Sequence, residues 1–219
     1  MEHFDSQPYK ALQQELAKKV QTRDALPPTV KYVAGADVAY NEQENWMVGA
    51  IVVLDMNNLS IVEQAYEIMP ISFPYIPGLF SFREIPSLLA AYGKLQQKPD
   101  LLVCDGHGIA HPKRCGMASH LGVELDLPSI GCAKSRLIGT YGELGPLRGE
   151  HVPLMEEGEV LGSVLRTQDG IRPLYVSIGH KISLPQARDW VLRLAPSYRQ
   201  PETTRMADQL VNSILKESK

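Results

Sequence analysis

Three strand-like segments follow one another early in the chain, and no other feature restricts its fold as strongly. They are KYVAGADVAY at 31–40, MVGAIVVLD at 47–55 and LSIVEQAYEI at 59–68, all apolar and rich in β-branched residues. The polar connections NEQEN and MNN are long enough only for turns. The sequence therefore predicts an antiparallel meander of three strands at the start of the core.

Apolar residues at helical spacing predict helices before and after this meander. The predicted segments are residues 6–22, Glu84 to Leu95, Met117 to Leu121, Ser183 to Leu194 and Thr204 to Ile214. In the first helix, Leu12 and Leu16 lie on the apolar face. Pro86 falls in the first turn of the second helix, where a missing N–H is tolerated. Ser183 and Thr204 are predicted to cap the last two helices.

Short apolar runs between these helices predict further strands. LLVCD at 101–105 and PSIGCAK at 128–134 are typical of strands buried on both faces. VLGSVLRT at 160–167 and LYVSIG at 174–179 predict a second strand pair, whereas segment 138–159 has no assigned element. This order predicts an α/β fold with a mixed central sheet flanked by helices. We find no repeat or linker, so residues 1–219 are expected to form one domain.

Composition and charge argue against several classes of protein. No segment reaches the roughly 18 uninterrupted apolar residues of a membrane span, and the N-terminus lacks the basic and apolar regions of a secretory signal. Cys104, Cys115 and Cys132 have no framework spacing, which fits a reducing compartment. We expect a cytoplasmic protein without membrane contact. Despite a net charge of −3, a local basic face could bind phosphates, although scattered solvated charges are the alternative.

Four acidic residues occupy positions that a solvated charge explains poorly. Asp37 lies inside an apolar strand, Asp105 ends another, Glu84 begins a helix and Asp208 lies in the first turns of the last helix. An unpaired buried carboxylate is costly, and several carboxylates together can share Mg²⁺ or Mn²⁺. The alternatives are a strand acid at Asp37 that is hydrogen-bonded to the backbone or paired with a lysine, and a turn-forming Asp-Gly pair at Asp105.

The segment CDGHGIAHPKRC at 104–115 leaves two interpretations open. Cys104, His107, His111 and Cys115 have a spacing that zinc ligands use, which suggests a structural zinc site. Cys104 also fits a small core residue inside its strand. His111, followed by basic residues, fits a loop histidine that hydrogen-bonds a phosphate or a metal-bound water, or an ordinary surface histidine.

Smaller signals surround the four acids. Lys134 ends the run 128–134 and could neutralise a phosphate, or it is an ordinary edge lysine. Gly78 and Gly106 permit the backbone to pass close to a ligand. Lone glycines are weak evidence, but here they flank both an acid, Asp105, and an aromatic residue, Tyr75.

Two prolines stiffen the segment SFPYIPGLFSFRE at 72–84. Pro74 and Pro77 fix the backbone dihedral φ and remove two donors, so Tyr75 and Ile76 cannot lie in a central strand. The sequence predicts a stiff, bent loop with Tyr75 at its tip.

The chain strongly resembles the endonuclease V family. The motifs are GADVAY at 35–40, PYIPGLFSFRE at 74–84, DGHGIAHPKRCGMASHLG at 105–122, IGCAKSRL at 130–137, SIGHKISL at 177–184 and YRQPETTRMAD at 198–208. They run in order over nearly the whole chain. Ser135, where a second lysine often follows Lys134, and Thr203, where proline is usual, depart from the family pattern.

The resemblance implies a ribonuclease H-like fold, which the predicted order of elements tolerates, and it implies a role for each candidate residue. The implied metal ligands are Asp37, Glu84, Asp105 and Asp208, with Mg²⁺ as the cofactor and Mn²⁺ as a substitute. Lys134 and His111 would assist at the scissile phosphate. Tyr75, framed by Pro74, Ile76 and Pro77, would separate the strands, and we expect Gly78 and Gly106 in the lesion pocket.

The implied activity is DNA repair. Such an enzyme hydrolyses the second phosphodiester bond 3′ to deoxyinosine and leaves 3′-hydroxyl and 5′-phosphate ends. Its partner is DNA with deoxyinosine or another distorted base, and no protein partner is inferred. The alternatives are a ribonuclease H-like nuclease that prefers inosine in RNA or branched or mismatched DNA, a lesion-binding module without catalysis, and a zinc-binding module.

Overall fold

The computed structural model describes residues 4–217 and shows one sheet flanked by helices. The strands are β1 (Tyr32–Asn41), β2 (Trp46–Asp55), β3 (Ile61–Pro70), β4 (Leu101–Cys104), β5 (Ser129–Ala133), β6 (His151–Glu156), β7 (Glu159–Leu165) and β8 (Leu174–His180). The helices are α1 (Gln7–Lys19), α2 (Phe80–Lys94), α3 (Met117–Leu125), α4 (Leu184–Leu194) and α5 (Glu202–Glu217). The predicted α/β fold with a mixed central sheet is confirmed.

The sheet order is β3-β2-β1-β4-β5-β8-β7-β6. β1, β2 and β3 form the predicted antiparallel meander, and β4 and β5 add to it in parallel with β1. β8 pairs antiparallel with β5, and β7 pairs antiparallel with β8, which confirms the predicted second strand pair. The carboxyl ends of β4 and β5 therefore lie side by side, and Asp105 and Lys134 directly follow these two strands. Asp37 lies within the longer strand β1, just beyond its pairing with β4.

Each face of the sheet is covered by a different pair of helices. Because successive strand residues point to opposite faces, Ala34 and Ile51 pack toward α2 and α3, whereas Val33 and Val52 pack toward α4 and α5. Gly35 permits a close approach of α5 to β1, since a Cβ there would lie 1.9 Å from the carbonyl oxygen of Thr203. This approach fixes the helix that carries Asp208.

Helix α2 begins earlier than the sequence predicts. The backbone N–H of Leu79 bonds to the carbonyl of Ile76 at 3.0 Å, and this turn leads directly into Phe80 as the first helical residue. Glu84 and Pro86 consequently lie inside the helix, and the predictions that Glu84 opens it and that Pro86 is in its first turn are wrong. Pro86 removes one backbone hydrogen bond from α2.

Two further helical predictions need correction. On α1, Leu12 is exposed and Gln13 is buried in its place. Helix α5 begins at Glu202, so Thr204 is inside its first turn, where its hydroxyl donates to the carbonyl of Pro201 rather than capping the helix. The prediction for Ser183 is confirmed, because its hydroxyl oxygen accepts a hydrogen bond from the backbone N–H of Gln186.

Strand β6 lies in the segment without an assigned element. Its proline, Pro153, and its mostly unburied side chains conceal the strand pattern, which is typical of an edge strand. The hairpin of β6 and β7 carries Glu156 and Glu159, whose carboxylates pair with the Arg114 guanidinium at 3.0 and 2.8 Å. This hairpin therefore braces the loop that contains His111. No helix within residues 4–217 has the length and apolar character needed to cross a membrane.

Candidate metal centre and nucleic-acid site

Three of the four candidate acids meet beside the carboxyl end of β4. Each of Asp37, Asp105 and Asp208 offers one carboxylate oxygen, and the three oxygens lie within 4.8 Å of one another. Ala36 pairs with Cys104 in the parallel ladder of β1 and β4, which places Asp37 and Asp105 side by side. Asp208 reaches the same point from α5, which packs across β1.

Glu84 approaches this group from α2. Its side chain is 7% exposed, and its Oε1 accepts a hydrogen bond of 3.0 Å from the Tyr40 hydroxyl. Burial raises the pKa of Glu84 to about 8, and the charges of Asp37 and Asp105 act in the same direction. All four predicted ligands are thus brought into one neighbourhood, with Glu84 the most deeply enclosed.

The electrostatics of the acids fit a bound cation. Burial, followed by the charge of Asp105, raises the pKa of Asp37 to about 7. Burial also raises the pKa of Asp105, although the Lys134 ammonium opposes that shift. Carboxylates this close disfavour each other's ionisation unless positive charge is present. Oxygen ligands of this kind suit a hard divalent cation.

A positive charge already lies within the group. Lys134 follows β5, and its Nζ is 2.5 Å from Asp105 Oδ2 and 3.2 Å from Asp208 Oδ1. The Arg199 guanidinium donates to the carbonyl oxygen of Lys134 at 2.8 Å and thereby fixes the backbone at this point. The Lys134 side chain thus pairs with Asp105 and Asp208, an arrangement that the sequence did not predict. This pairing shows that the acids can accommodate a positive charge.

His111 is buried in the wall of the cavity that Glu84 and Asp105 also line, and it is uncharged at neutral pH. Burial, followed by the nearby charges of His107, Arg114 and Lys113, lowers the pKa of His111 to about 4. The backbone N–H of Lys113 donates to Nδ1 of His111 at 3.1 Å. Because Nδ1 accepts this bond, the ring proton lies on Nε2, which is the tautomer that can donate to a phosphate oxygen.

The zinc interpretation of segment 104–115 is not supported. Cys104 and Cys115 are buried in different apolar clusters. Burial raises the pKa of both thiols, which disfavours the thiolate form that zinc needs. Among residues 4–217, the side chains grouped closely enough to hold a metal ion are the three aspartates and not this set.

A cavity of about 400 Å³ lies directly beside the acids. Its lining includes Tyr75, Gly78, Glu84, Asp105, Gly106, His111 and Met117. The predicted stiff loop and three of the predicted catalytic residues, Glu84, Asp105 and His111, therefore face one space. A Cβ at Gly106 would lie 3.0 Å from the Met117 methyl group, so glycine keeps this wall open.

Tyr75 projects from the rim of this cavity with 68% of its surface exposed. Its ring packs edge-on against Phe80, with the centroids 5.8 Å apart. Pro74 and Pro77 are exposed on either side of it, whereas Ile76 packs against the apolar cluster of Phe73. An exposed tyrosine on an anchored loop can stack on a nucleobase.

Two residues of this region were missed by sequence reasoning. Tyr40 reads as an ordinary strand residue, and Gln13 lies at a helix position that the spacing of apolar residues does not mark. Tyr40 bonds to Glu84, and Gln13 donates to two carbonyl groups of the loops around the cavity. Neither contact has a signal in the sequence, because both partners are distant along the chain.

Comparisons with known proteins agree on one family. The family model described as Endonuclease V matches residues 14–209. Endonuclease V from Trichormus variabilis is 52% identical over 202 residues, which cover 92% of this chain and 91% of the relative. The crystal structure of endonuclease V from Streptomyces avermitilis has a TM-score of 0.93 and 45% identity, and the match covers 99% of this chain and 95% of that one.

A relative has also been solved with a nucleic acid. The endonuclease V of Ciona intestinalis is in complex with a 24mer DNA that contains an inosine followed by a ribo-adenosine. It matches with a TM-score of 0.86 and 30% identity over 98% of this chain and 100% of that chain. The similarity to these structures confirms the predicted ribonuclease H-like fold.

Proposed function

From the premise that this chain belongs to the endonuclease V family and is a nuclease, we propose that it nicks DNA at deoxyinosine. The proposed bond is the second phosphodiester 3′ to the lesion, and the ends are a 3′-hydroxyl and a 5′-phosphate. One observation carries this proposal: the carboxylates of Asp37, Asp105 and Asp208 lie within 4.8 Å of one another, next to a cavity rimmed by an exposed tyrosine. The inosine-containing DNA bound by the Ciona relative supports the choice of substrate.

Mg²⁺ is the proposed cofactor, with Mn²⁺ as a substitute. The residues that would hold it are Asp37, Asp105, Asp208 and Glu84, because all four offer carboxylate oxygens. The pKa values of Asp37 and Glu84 are raised, and Asp105 and Asp208 pair with Lys134, so this group of acids is stabilised by positive charge. When bound, a divalent cation supplies charge that activates water for attack and neutralises the departing 3′ oxygen.

Lys134 and His111 are proposed to act on the scissile phosphate. The Lys134 ammonium lies at the end of β5 and pairs with the aspartates. When substrate binds, its phosphate competes with the aspartates for this ammonium, which then neutralises a phosphate oxygen. His111 donates through Nε2 without adding charge, since burial keeps it neutral. Both side chains orient the phosphodiester so that water attacks opposite the leaving oxygen.

Tyr75 is proposed to open the duplex at the lesion. Inosine pairs poorly with thymine, so extruding it costs less than extruding a normal base. The ring of Tyr75 replaces lost stacking, while Pro74, Ile76 and Pro77 keep its loop in one conformation and limit the entropy lost on binding. The extruded base would enter the cavity lined by Gly78 and Gly106.

A nicking assay tests this function. A duplex with one central deoxyinosine is incubated with and without Mg²⁺, and the cut is mapped at nucleotide resolution. We expect one cut at the proposed bond that requires Mg²⁺ or Mn²⁺. Tight binding without a cut would instead support a lesion-binding module. Faster cleavage of inosine in RNA or of branched or mismatched DNA would support the other nuclease alternative.

A further inference from the structure

Gln13 ties together two loops that are far apart in the sequence. The side chain belongs to α1 and is 2% exposed. Its Nε2 donates to the carbonyl oxygen of Gly78 at 2.7 Å and to that of Cys115 at 3.1 Å. A primary amide has two N–H donors on one nitrogen, so a single side chain satisfies both carbonyls.

The two loops joined by Gln13 form facing parts of the cavity wall. Pro77 and Gly78 line the cavity from one loop, and His111 and Gly116 line it from the other. Gly78 has φ of +81° and no side chain with which to anchor itself. Because glycine is conformationally permissive, the position of its carbonyl depends on an external donor.

The wall held by Gln13 also has open space behind it. A second cavity of about 370 Å³ adjoins the first and is lined by Lys10, Gln13 and Lys113, among others. Pro77, Gly78, His111 and Leu137 line both cavities and therefore lie between them. If the bonds from Gln13 were lost, the Gly78 loop would have room to move away from the first cavity and widen it.

We propose that Gln13 is a positioning residue that sets the width of the lesion pocket and thereby its selectivity for hypoxanthine over guanine. This inference rests on the proposed function, because it concerns the pocket into which the base is extruded. The two bases differ by the exocyclic amino group of guanine, so a pocket of fixed width can exclude the larger base, whereas a pocket that expands admits it. Such selectivity requires a pocket wall that keeps its position when the larger base approaches.

The test compares Gln13→Met with a matched control, Gln14→Met. Methionine keeps the length of the side chain and removes both donors, and Gln14 is the exposed neighbour on the same helix. Each protein is assayed on two duplexes that are identical except for a central deoxyinosine or deoxyguanosine. The readout is the ratio of the two nicking rates, because a loss of folded protein lowers both rates equally and leaves their ratio unchanged.

We expect the ratio of inosine to guanosine cleavage to fall by about 10-fold or more in Gln13→Met and to stay at the wild-type value in Gln14→Met. Gln13→Asn, which keeps the amide but is shorter by one methylene, serves if the first variant fails to fold, and its ratio is also expected to fall. An unchanged ratio in a folded Gln13 variant overturns the proposal. If the wild type itself fails to nick the inosine duplex, the proposed function fails instead, so the two failures are distinguishable.

Discussion

The Tyr40 hydroxyl donates a hydrogen bond of 3.0 Å to Oε1 of Glu84, the most enclosed of the four acids. The Tyr40 ring also lies 5.9 Å from that of Phe80, and Phe80 in turn packs against Tyr75 at 5.8 Å. Consecutive contacts therefore connect the exposed tyrosine at the cavity rim with a proposed metal ligand. The hydrogen bond stabilises the ionised form of Glu84 and lowers its pKa against the effect of burial.

Tyr40→Phe is expected to weaken Mg²⁺ binding by about 10-fold near pH 7, since a hydrogen bond to a charged group contributes about 1.5–3 kcal/mol. Without the donor, the pKa of Glu84 rises further and its proton competes better with the cation. Calorimetric titration with Mg²⁺ measures this effect. Tyr92→Phe is the control, because the Tyr92 hydroxyl makes no hydrogen bond within the described part of the chain. Equal affinities in wild type and Tyr40→Phe would contradict the role of Tyr40.

Cation binding is expected to strengthen as the pH rises through about 7 to 8. The pKa values of Asp37 and Glu84 lie at about 7 and about 8, above the usual carboxyl value, so each binds a proton in the cation-free folded state that must leave before a cation binds. The protonated carboxyls stabilise the folded protein at low pH, and this contribution to folding stability is lost as the pH rises through the two raised pKa values. A bound cation restores the lost stability.

The melting temperature is measured with and without Mg²⁺ at a series of pH values from 5.5 to 8.5. The quantity compared is the increase in melting temperature that Mg²⁺ causes at each pH. Using the difference at each pH removes the separate pH dependence of buried histidines such as His107 and His120, whose pKa values are lowered by burial. The increase should grow with pH and level off above about pH 8. An increase that is constant over this range would show that neither carboxyl loses a proton on binding.

Lys134→Gln is expected to bind Mg²⁺ more tightly without DNA and to nick about 100-fold more slowly. The ammonium occupies oxygens of Asp105 and Asp208 that the cation needs, but it is also the proposed partner of the phosphate. Cation titrations and single-turnover nicking measure the two effects separately. Lys216→Gln, at the exposed end of α5, is the control. Weaker cation binding in Lys134→Gln would show that the lysine supports the metal centre rather than competing with it.

Tyr75→Ala is expected to weaken binding to a deoxyinosine duplex by about 5- to 150-fold, which corresponds to about 1–3 kcal/mol of lost stacking. Its affinity for Mg²⁺ should not change. Fluorescence anisotropy with labelled duplexes measures the binding. Tyr66→Ala is the control, because Tyr66 is also exposed but lies on the edge strand β3. If wild type and Tyr75→Ala discriminate equally between inosine and normal duplexes, Tyr75 does not probe the lesion.

Elements that depend on local pattern were predicted well from the sequence. The meander follows from three β-branched runs separated by turns, and the buried face of α4, with Ala187, Trp190, Val191 and Leu194, follows from its spacing. The start of α2 was misplaced because the turn at Ile76–Leu79 is stabilised by a backbone bond that the residue types do not show. Strand β6 was missed because its edge position exposes most of its side chains.

The sequence predicted the acids of the candidate site but not the polar contacts that hold these acids and the neighbouring loops in place. Asp37 and Asp105 stand out because an acid in or after an apolar strand is unusual, and their proximity follows from parallel pairing of β1 and β4. The contact of Lys134 with Asp105, the bond from Tyr40 to Glu84 and the two bonds from Gln13 all join residues distant in sequence. Such pairs depend on how the elements pack, which the spacing of residues along the chain does not encode.

The central claim is that Asp37 within β1 and Asp105 after β4 help to hold the cation with which the protein cleaves deoxyinosine-containing DNA. The most direct test measures single-turnover nicking of one deoxyinosine duplex by wild type and Asp105→Asn over a range of Mg²⁺ concentrations, with duplex binding measured in parallel. Glu124→Gln, an exposed acid on α3, is the control. The account predicts Mg²⁺-dependent nicking by wild type and control, and nicking at least about 100-fold slower by Asp105→Asn with duplex binding retained. Nicking by Asp105→Asn at the wild-type rate would contradict it.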